Sequence, residues 1–253
     1  MKLAVCIKQV PTREWQPRLN DTRTWIREAD ATFEMNEPDA YALEEALRLR
    51  ERHGGEVVVC SAGPARVQAV LREALARGAD RALHVESDAL ADADALAVGD
   101  ALAEAMAGEQ FDLVLTGLQS DDLGQGQTGV VLAERLGVAH ATIVMEVQAV
   151  EGGLRVKREL EGGWFQWITL PLPALVTIQS GINQLRYATL KGIMAAKKKD
   201  IRKVSPAAAP AAAVRIEALA LPVKAKQGQI IGGSAAEAAT ELVRRLRDEA
   251  RAL

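Results

Sequence analysis

The sequence predicts an α/β fold with an open parallel sheet, and three observations carry that reading. Four short apolar runs rich in Val, Leu and Ala recur, at 3–8 (LAVCIK), 56–63 (EVVVCSAG), 81–87 (RALHVES) and 112–117 (DLVLTG). Stretches with helical spacing separate the last three, carrying Val67, Val70, Leu71 and Leu75 in one and Ala95, Leu96, Ala101, Leu102 and Met106 in the other. Strands alternating with helices favour right-handed βαβ crossovers and a parallel sheet. Past residue 138 the pattern changes to ATIVMEVQAV, GGLRVKREL, GGWFQWITL and PALVTIQSG, with Gly-Gly turns between the first three. These segments read as an antiparallel ribbon added to the parallel core.

Taken in order, the run at 3–8 opens the sheet, and 36–55 (NEPDAYALEEALRLRERHGG) is the best-marked helix of the chain. Asn36 stands at the N-cap, Pro38 in the first turn, Glu37 and Asp39 at the positive end of the dipole, Arg48, Arg50 and Arg52 at the negative end, and Gly54 as the stop. Ala42, Leu43, Ala46 and Leu47 give it one apolar face. Residues 1–185 are thus expected to form one α/β domain, 186–203 (RYATLKGIMAAKKKDIRK) a mixed apolar and basic segment, 204–233 a linker marked by SPAAAPAAA, and 234–253 a terminal helix. The linker composition suits an extended spacer. Leu242, Leu246 and Ala250 form one stripe on the last helix, which packs either on a partner or back on its own domain.

Composition excludes several classes. Thirty-one Lys and Arg against 34 Asp and Glu leave a net charge of -3, so a nucleic-acid partner is not indicated and any basic feature is local. Cys6 and Cys60 lie inside apolar runs with no cluster of Cys or His around them, which fits free buried thiols in a reducing compartment. His53, His84 and His140 are scattered, so no metal site is expected. The N-terminal apolar run is too short for a signal peptide and no run approaches a membrane span, so the expected location is the cytoplasm. There is no G-x-S-x-G motif, Walker lysine or paired-carboxylate constellation, and only His140 and Glu146 form a nearby acid/base pair. The chain therefore reads as a binder of cofactor and partner, without chemistry of its own.

In an open parallel sheet, ligands bind beyond the carboxyl ends of the strands. The segment leaving 112–117 is the glycine-rich loop GLQSDDLGQGQTG, which opens a helix at about Thr128. Glycines let the backbone approach a phosphate, and the free N–H groups of a helix start attract an anion. Gln127, Thr128 and Gly129 are placed for that role. Gly124 to Gly129 also spells G-x-G-x-x-G, but residues 118–123 separate it from the strand, whereas the dinucleotide fingerprint sits in a tight turn directly after one. Asp121 and Asp122 would repel a phosphate, so they turn to ribose, backbone N–H groups or solvent. The loops after 3–8 and after 56–60 end at matching positions, and a nucleotide bridging the three loops is the simplest use of the topology.

Several segments together resemble the β subunit of electron transfer flavoproteins: VCIKQVP (5–11), NEPDAYALEEALRLRE (36–51), ALARGADRALHV (75–85), DLVLTGLQSDD with GQTG (112–129), RELEGG (158–163), LPLPALVT (170–177) and RYATLKGIMAAKKK (186–199). The likeness spans about 1–200 and fades in the linker and last helix. It implies a Rossmann-type, adenine nucleotide hydrolase-like core, a heterodimer whose α subunit carries the redox-active FAD, and AMP held in this chain without a catalytic role. It further implies electrons accepted from acyl-CoA or related dehydrogenases, as in fatty acid β-oxidation, and passed toward a quinone oxidoreductase. By motif, AMP contacts would fall on Cys6, on Asn36, Glu37, Pro38 and Asp39, on Ala62, and on the loop of Asp122, Leu123, Gly124, Gln125, Gly126, Gln127, Thr128, Gly129, Val130 and Ala133. In bifurcating relatives the same site holds a second FAD and the subunit oxidises NADH. Gln127-Thr128-Gly129 is similar to the AMP type.

The resemblance makes 186–199 a docking arm. Leu190 would insert into a dehydrogenase pocket, with Arg186, Tyr187, Ile193, Met194, Lys197, Lys198 and Lys199 around it; the alternative is that Leu190, Ile193 and Met194 pack on the protein's own core beside a solvated lysine edge. A nucleotide-binding regulatory module of the same fold is a third reading, although it requires neither the arm nor the terminal helix. Residues 12–35 depart from the family pattern, and Arg13, Trp164 and Trp167 receive no role.

Overall fold

The computed structural model describes residues 1–208, 211–222 and 228–252, so Leu253 of the terminal segment and parts of the 204–233 linker lie outside the described residues. The chain divides into two compact units, Met1–Leu219 and Ala220–Leu253. In the first unit β1 (Lys2–Cys6) leads into a short antiparallel pair, β2 (Gln9–Pro11) and β3 (Phe33–Met35). Then follow α1 (Glu37–His53), β4 (Glu56–Gly63), α2 (Gln68–Arg77), β5 (Arg81–Glu86), α3 (Ala95–Met106), β6 (Leu113–Gly117) and α4 (Thr128–Leu136). The ribbon strands are β7 (Ala139–Val150), β8 (Gly153–Glu159) and β9 (Phe165–Pro171). After them come β10 (Ala174–Ile178), α5 (Leu190–Ala196) and β11 (Ile201–Val204).

These strands form one nine-stranded sheet in the order β11-β5-β4-β1-β6-β10-β7-β8-β9. The neighbours from β11 to β7 pair in parallel, and β7-β8 and β8-β9 pair antiparallel. The four runs expected to be parallel strands are β1, β4, β5 and β6. PALVTIQSG, grouped with the ribbon on sequence, instead supplies β10, inserted in parallel between β6 and β7. Its reason is visible in its burial: every residue of Ala174–Ile178 is buried, as in β6, and a strand covered on both faces belongs inside a parallel sheet rather than in a ribbon with one wet side.

Alternation along the strands divides the core in two. Leu3, Val5, Val57, Val59, Leu113 and Leu115 join Leu43 and Leu47 of α1 and Leu71 and Leu75 of α2. Ala4, Cys6, Val58, Cys60, Leu83 and Val114 join Leu102 and Met106 of α3 and Leu132 of α4. Each fully buried leucine contributes about 2–3 kcal/mol by leaving water. The 186–203 segment does not stand apart, because it supplies α5, which packs on α2, and β11, the edge strand beside β5. In the second unit α6 (Ala235–Asp248) starts with a capping box: Ser234 accepts from the Glu237 N–H, and Glu237 accepts from the Ser234 N–H.

Candidate functional site

A cavity of about 870 Å³, counting its open mouth, lies at the carboxyl ends of β1, β4 and β6. Its floor is Cys6, Ile7, Ala62, Thr116 and Gly117, one wall is Leu118 to Ser120 with Leu123 and Gln125 to Gly129, and the other wall is Leu90, Ala91 and Ala93 to Ala95 with Val98 and Leu102. Asn36 and Asp39, at the start of α1, complete the lining with Lys8. Of the residues expected at a nucleotide, Cys6, Asn36, Asp39, Ala62, Leu123, Gln125, Gly126, Gln127, Thr128 and Gly129 are therefore brought together. Glu37, Pro38, Asp122, Gly124, Val130 and Ala133 lie outside the lining; Ala133 is fully buried in the core on the inner side of α4.

Each wall is positioned by identifiable bonds. Gly124 and Gly126 adopt φ of 63° and 64°, a left-handed backbone open to glycine at little cost, and the loop so turned delivers Gln127 to α4. Gln127 gives that helix no side-chain cap, so the N–H groups of its first turn, which have no intrahelical acceptor, remain available at the cavity. Asn36 stands at the N-cap position of α1 without capping it. Its amide Nδ2 donates to Gln119 O at 3.0 Å and its Oδ1 accepts from the Asp121 N–H at 2.9 Å, which clamps the loop. The amide supplies the donor and the acceptor from two separate atoms, whereas a carboxylate in its place could only accept.

Asp39 ties two strand ends together, its Oδ2 accepting from the Lys8 N–H and its Oδ1 from the Gly117 N–H, both at 2.8 Å. Burial pushes its carboxyl up to about 6, against the pull of those hydrogen bonds. Burial likewise raises the Cys6 thiol well above its ordinary range, with Cys60 and Asp39 adding to the effect, so this cysteine is an inert wall element. Lys8 Nζ donates to Asp122 Oδ1 at 2.6 Å and to Ser120 Oγ at 3.3 Å. Arg13 reaches both Glu37 and, at 3.3 Å, Asp121. The two loop aspartates thus face cations from the first loop. Lys8, Ser120 and the 90–95 wall went unnamed on sequence, although RALHVES ends at the same edge of the sheet and the strand-end rule applied to its loop as well.

The second candidate surface is the arm at 186–199. Tyr187 is 86% exposed, Leu190 79%, Met194 58% and Ile193 45%, so these side chains do not fill the core; only Ala196 of α5 is buried. Their scaffold is firmly held. Thr189 caps α5 by accepting from the Gly192 N–H at 3.0 Å, and Arg72 donates to Ala196 O and Lys199 O at 2.7 and 2.6 Å. Lys199 Nζ donates to Leu75 O at 3.1 Å and also to Ala79 O. Arg186 pairs with Glu44 and Glu51 of α1, both at 2.6 Å. Arg186 and Lys199 therefore spend their charge inside the chain, and Lys197 and Lys198 remain exposed. At the far edge of the sheet Trp164, Phe165 and Trp167 are exposed, with Arg155 4.5 Å from the Trp167 ring centre and Lys157 4.3 Å from that of Phe165.

The electron transfer flavoprotein domain family matches residues 24–209. The electron transfer flavoprotein subunit beta of Methylophilus methylotrophus is 38% identical over 209 residues, covering 81% of this chain and 79% of that protein. The mitochondrial subunit beta of Oryza sativa subsp. japonica is 38% identical over the whole of both chains, and the subunit beta of Bacillus subtilis is 35% identical over 90% of this chain and 91% of its own. This chain belongs to the electron transfer flavoprotein β-subunit family.

The names of these relatives make each of them a subunit beta of a flavoprotein that transfers electrons. Among the described residues no helix is long and apolar enough to cross a membrane, and no group of three or more His, Cys, Asp or Glu could hold a metal.

Proposed function

We propose that this β subunit holds AMP in the strand-end cavity and carries the arm by which a two-chain flavoprotein docks on acyl-CoA or related dehydrogenases, in the cytoplasm. The observation that carries the first part is the uncapped start of α4 opening onto a cavity at the ends of β1, β4 and β6. A phosphate there meets the N–H groups of Thr128 and its neighbours and the positive end of the helix dipole. The loop supplies Gln127-Thr128-Gly129, the AMP-type sequence. FAD, held mainly by the α subunit, supplies the one- and two-electron chemistry that moves electrons onward to a quinone oxidoreductase. This chain's own residues bind, orient and dock; its buried thiols and scattered histidines support no catalytic step, so the chain is an electron-carrier subunit.

The arm supports the second part. Leu190 projects from a short helix whose backbone is bonded to α2, and Tyr187 from the segment just before it, so little order is lost at Leu190 when a partner closes over them. Lys197 and Lys198 add charge that speeds encounter. The deciding experiment is the absorbance spectrum and extracted nucleotide of the purified two-chain complex. One flavin with one AMP is expected. Two flavins and no AMP would instead make this the bifurcating type, with this chain's own FAD accepting hydride from NADH.

A further inference from the structure

Residues following β11 are rich in Ala and Pro, the composition of a spacer, yet the structure holds them at three points. The Ala207 N–H donates to the Glu104 carboxylate of α3 at 3.1 Å. The N–H groups of Ala213 and Val214 both donate to Asp94 Oδ2, at 2.7 and 2.8 Å. The Leu219 N–H donates to Arg23 O at 2.7 Å. Asp94 is the joint of this arrangement. Its other oxygen caps α3 by accepting from the Ala97 N–H at 2.9 Å, and the residue lines the nucleotide cavity next to Leu90, Ala91 and Ala93. With three backbone donors on one carboxylate, its oxygens serve the backbone rather than a ligand.

We infer that residues 211–219 are a strap that latches the 88–95 wall of the cavity through Asp94, so that a nucleotide enters or leaves when the strap lifts. The inference rests on the nucleotide reading of the cavity and adds its gate. The wall is a three-residue turn, Asp88–Leu90, followed by bends; Leu90 anchors it in the core with Ala93 packed alongside, but Asp88, Ala89 and Asp92 are exposed and the alanines bury little surface. Segments with so few apolar contacts open at low cost unless tied. The tie is a pair of charge-assisted hydrogen bonds from consecutive N–H groups, stronger than neutral ones and geometrically demanding. Ala213 and Val214 are themselves exposed, so no buried side chain at these two positions holds the strap down, as a reversible latch requires. Coupling of this kind is reciprocal: a ligand that needs the wall closed favours the docked strap by the same factor with which the docked strap raises the ligand's affinity.

The test uses the full two-chain complex loaded with radiolabelled AMP and chased with excess unlabelled AMP. Ala213→Pro and Val214→Pro each delete one donor without touching a residue that lines the cavity. Each is expected to speed AMP release about tenfold, the equivalent of one charge-assisted hydrogen bond, with far-UV circular dichroism unchanged. In the wild-type complex, AMP is expected to slow amide hydrogen exchange at 211–219. A wild-type complex that retains AMP, releases it no faster in either variant and shows strap exchange indifferent to AMP overturns the strap alone. A wild-type complex that holds no AMP overturns the nucleotide reading, and this inference with it.

Discussion

Gly129 stands where a side chain has no room: a Cβ there would fall 2.7 Å from both Thr116 Oγ1 and Thr177 Cγ2. α4 therefore lies against β6 and β10 at a distance that only glycine permits. Gly129→Val is expected to cost about 1–3 kcal/mol by overpacking, read as a lower melting temperature, and any nucleotide it sheds is lost through the displaced helix. Thr128→Glu makes the cleaner probe, because it sets a carboxylate at the helix start where the phosphate is proposed to sit. Nucleotide extracted from the purified complex should drop at least about tenfold, the scale of a single unfavourable charge contact in a sheltered site, while the flavin spectrum stays the same. Full retention would place the phosphate elsewhere.

Glu109 gives a second test at this scale. Hydrogen bonds from Arg81 and Lys2 hold its carboxyl down to about 2, against the opposing effect of burial, and Arg202 lies 3.1 Å away. A folded value below the ordinary 4.5 means that its stabilisation is present in full above that pH and fades as pH falls toward 2. Glu109→Gln should lose roughly 1–2 kcal/mol at pH 7, the range for partly screened hydrogen bonds to charged groups. The gap between variant and wild type in urea denaturation should close on acidification. A gap that is constant from pH 7 to pH 2 would rule out the ion pairs as its source. Asp39 has the opposite sign: with its carboxyl raised to about 6, its contribution is largest below the ordinary 3.8 and is lost as pH rises through 6.

At the scale of elements, α5 decides whether the arm is an anchor or a piece of core. Leu190→Ala removes an exposed side chain, so folding and flavin content should stay within error. Affinity for the dehydrogenase should fall by about 2 kcal/mol, or roughly thirtyfold, seen as a raised apparent Michaelis constant for the complex. Unfolding with unchanged affinity per folded molecule would return Leu190 to the core. Gly192 and Lys199 predict a different outcome. A Cβ at Gly192 would lie 2.3 Å from Ala76 O, and Lys199 bonds two carbonyls at the end of α2. Gly192→Ala and Lys199→Ala should therefore lower thermal stability, while Lys198→Ala should mainly flatten the salt dependence of association. The three consecutive lysines look alike in sequence, but they divide into two exposed charges and one structural strut.

At the scale of the whole molecule, the chain expressed alone is expected to be colourless and to turn yellow on reconstitution with its α partner, measured at the flavin absorbance band. A lone chain retaining stoichiometric FAD would contradict the assignment of the redox flavin to the α subunit. Read by itself, the sequence determined the alternation of strands and helices, the start and stop of α1, the turns of the ribbon, the glycine loop into α4 and the family, because each is written in residues a few positions apart. The Asn36 side chain, read as the cap of α1, is instead spent on the distant 119–121 loop. The tertiary structure alone placed β10 between β6 and β7, carried β11 to the edge beside β5, turned Lys199 inward and drew the linker onto Asp94. Those outcomes depend on groups brought together from distant points of the chain, as Lys199 and Leu75 are across 124 positions. Hydrophobic period encodes which face a segment buries, but it carries no record of which distant carbonyl or carboxylate will be there to meet it.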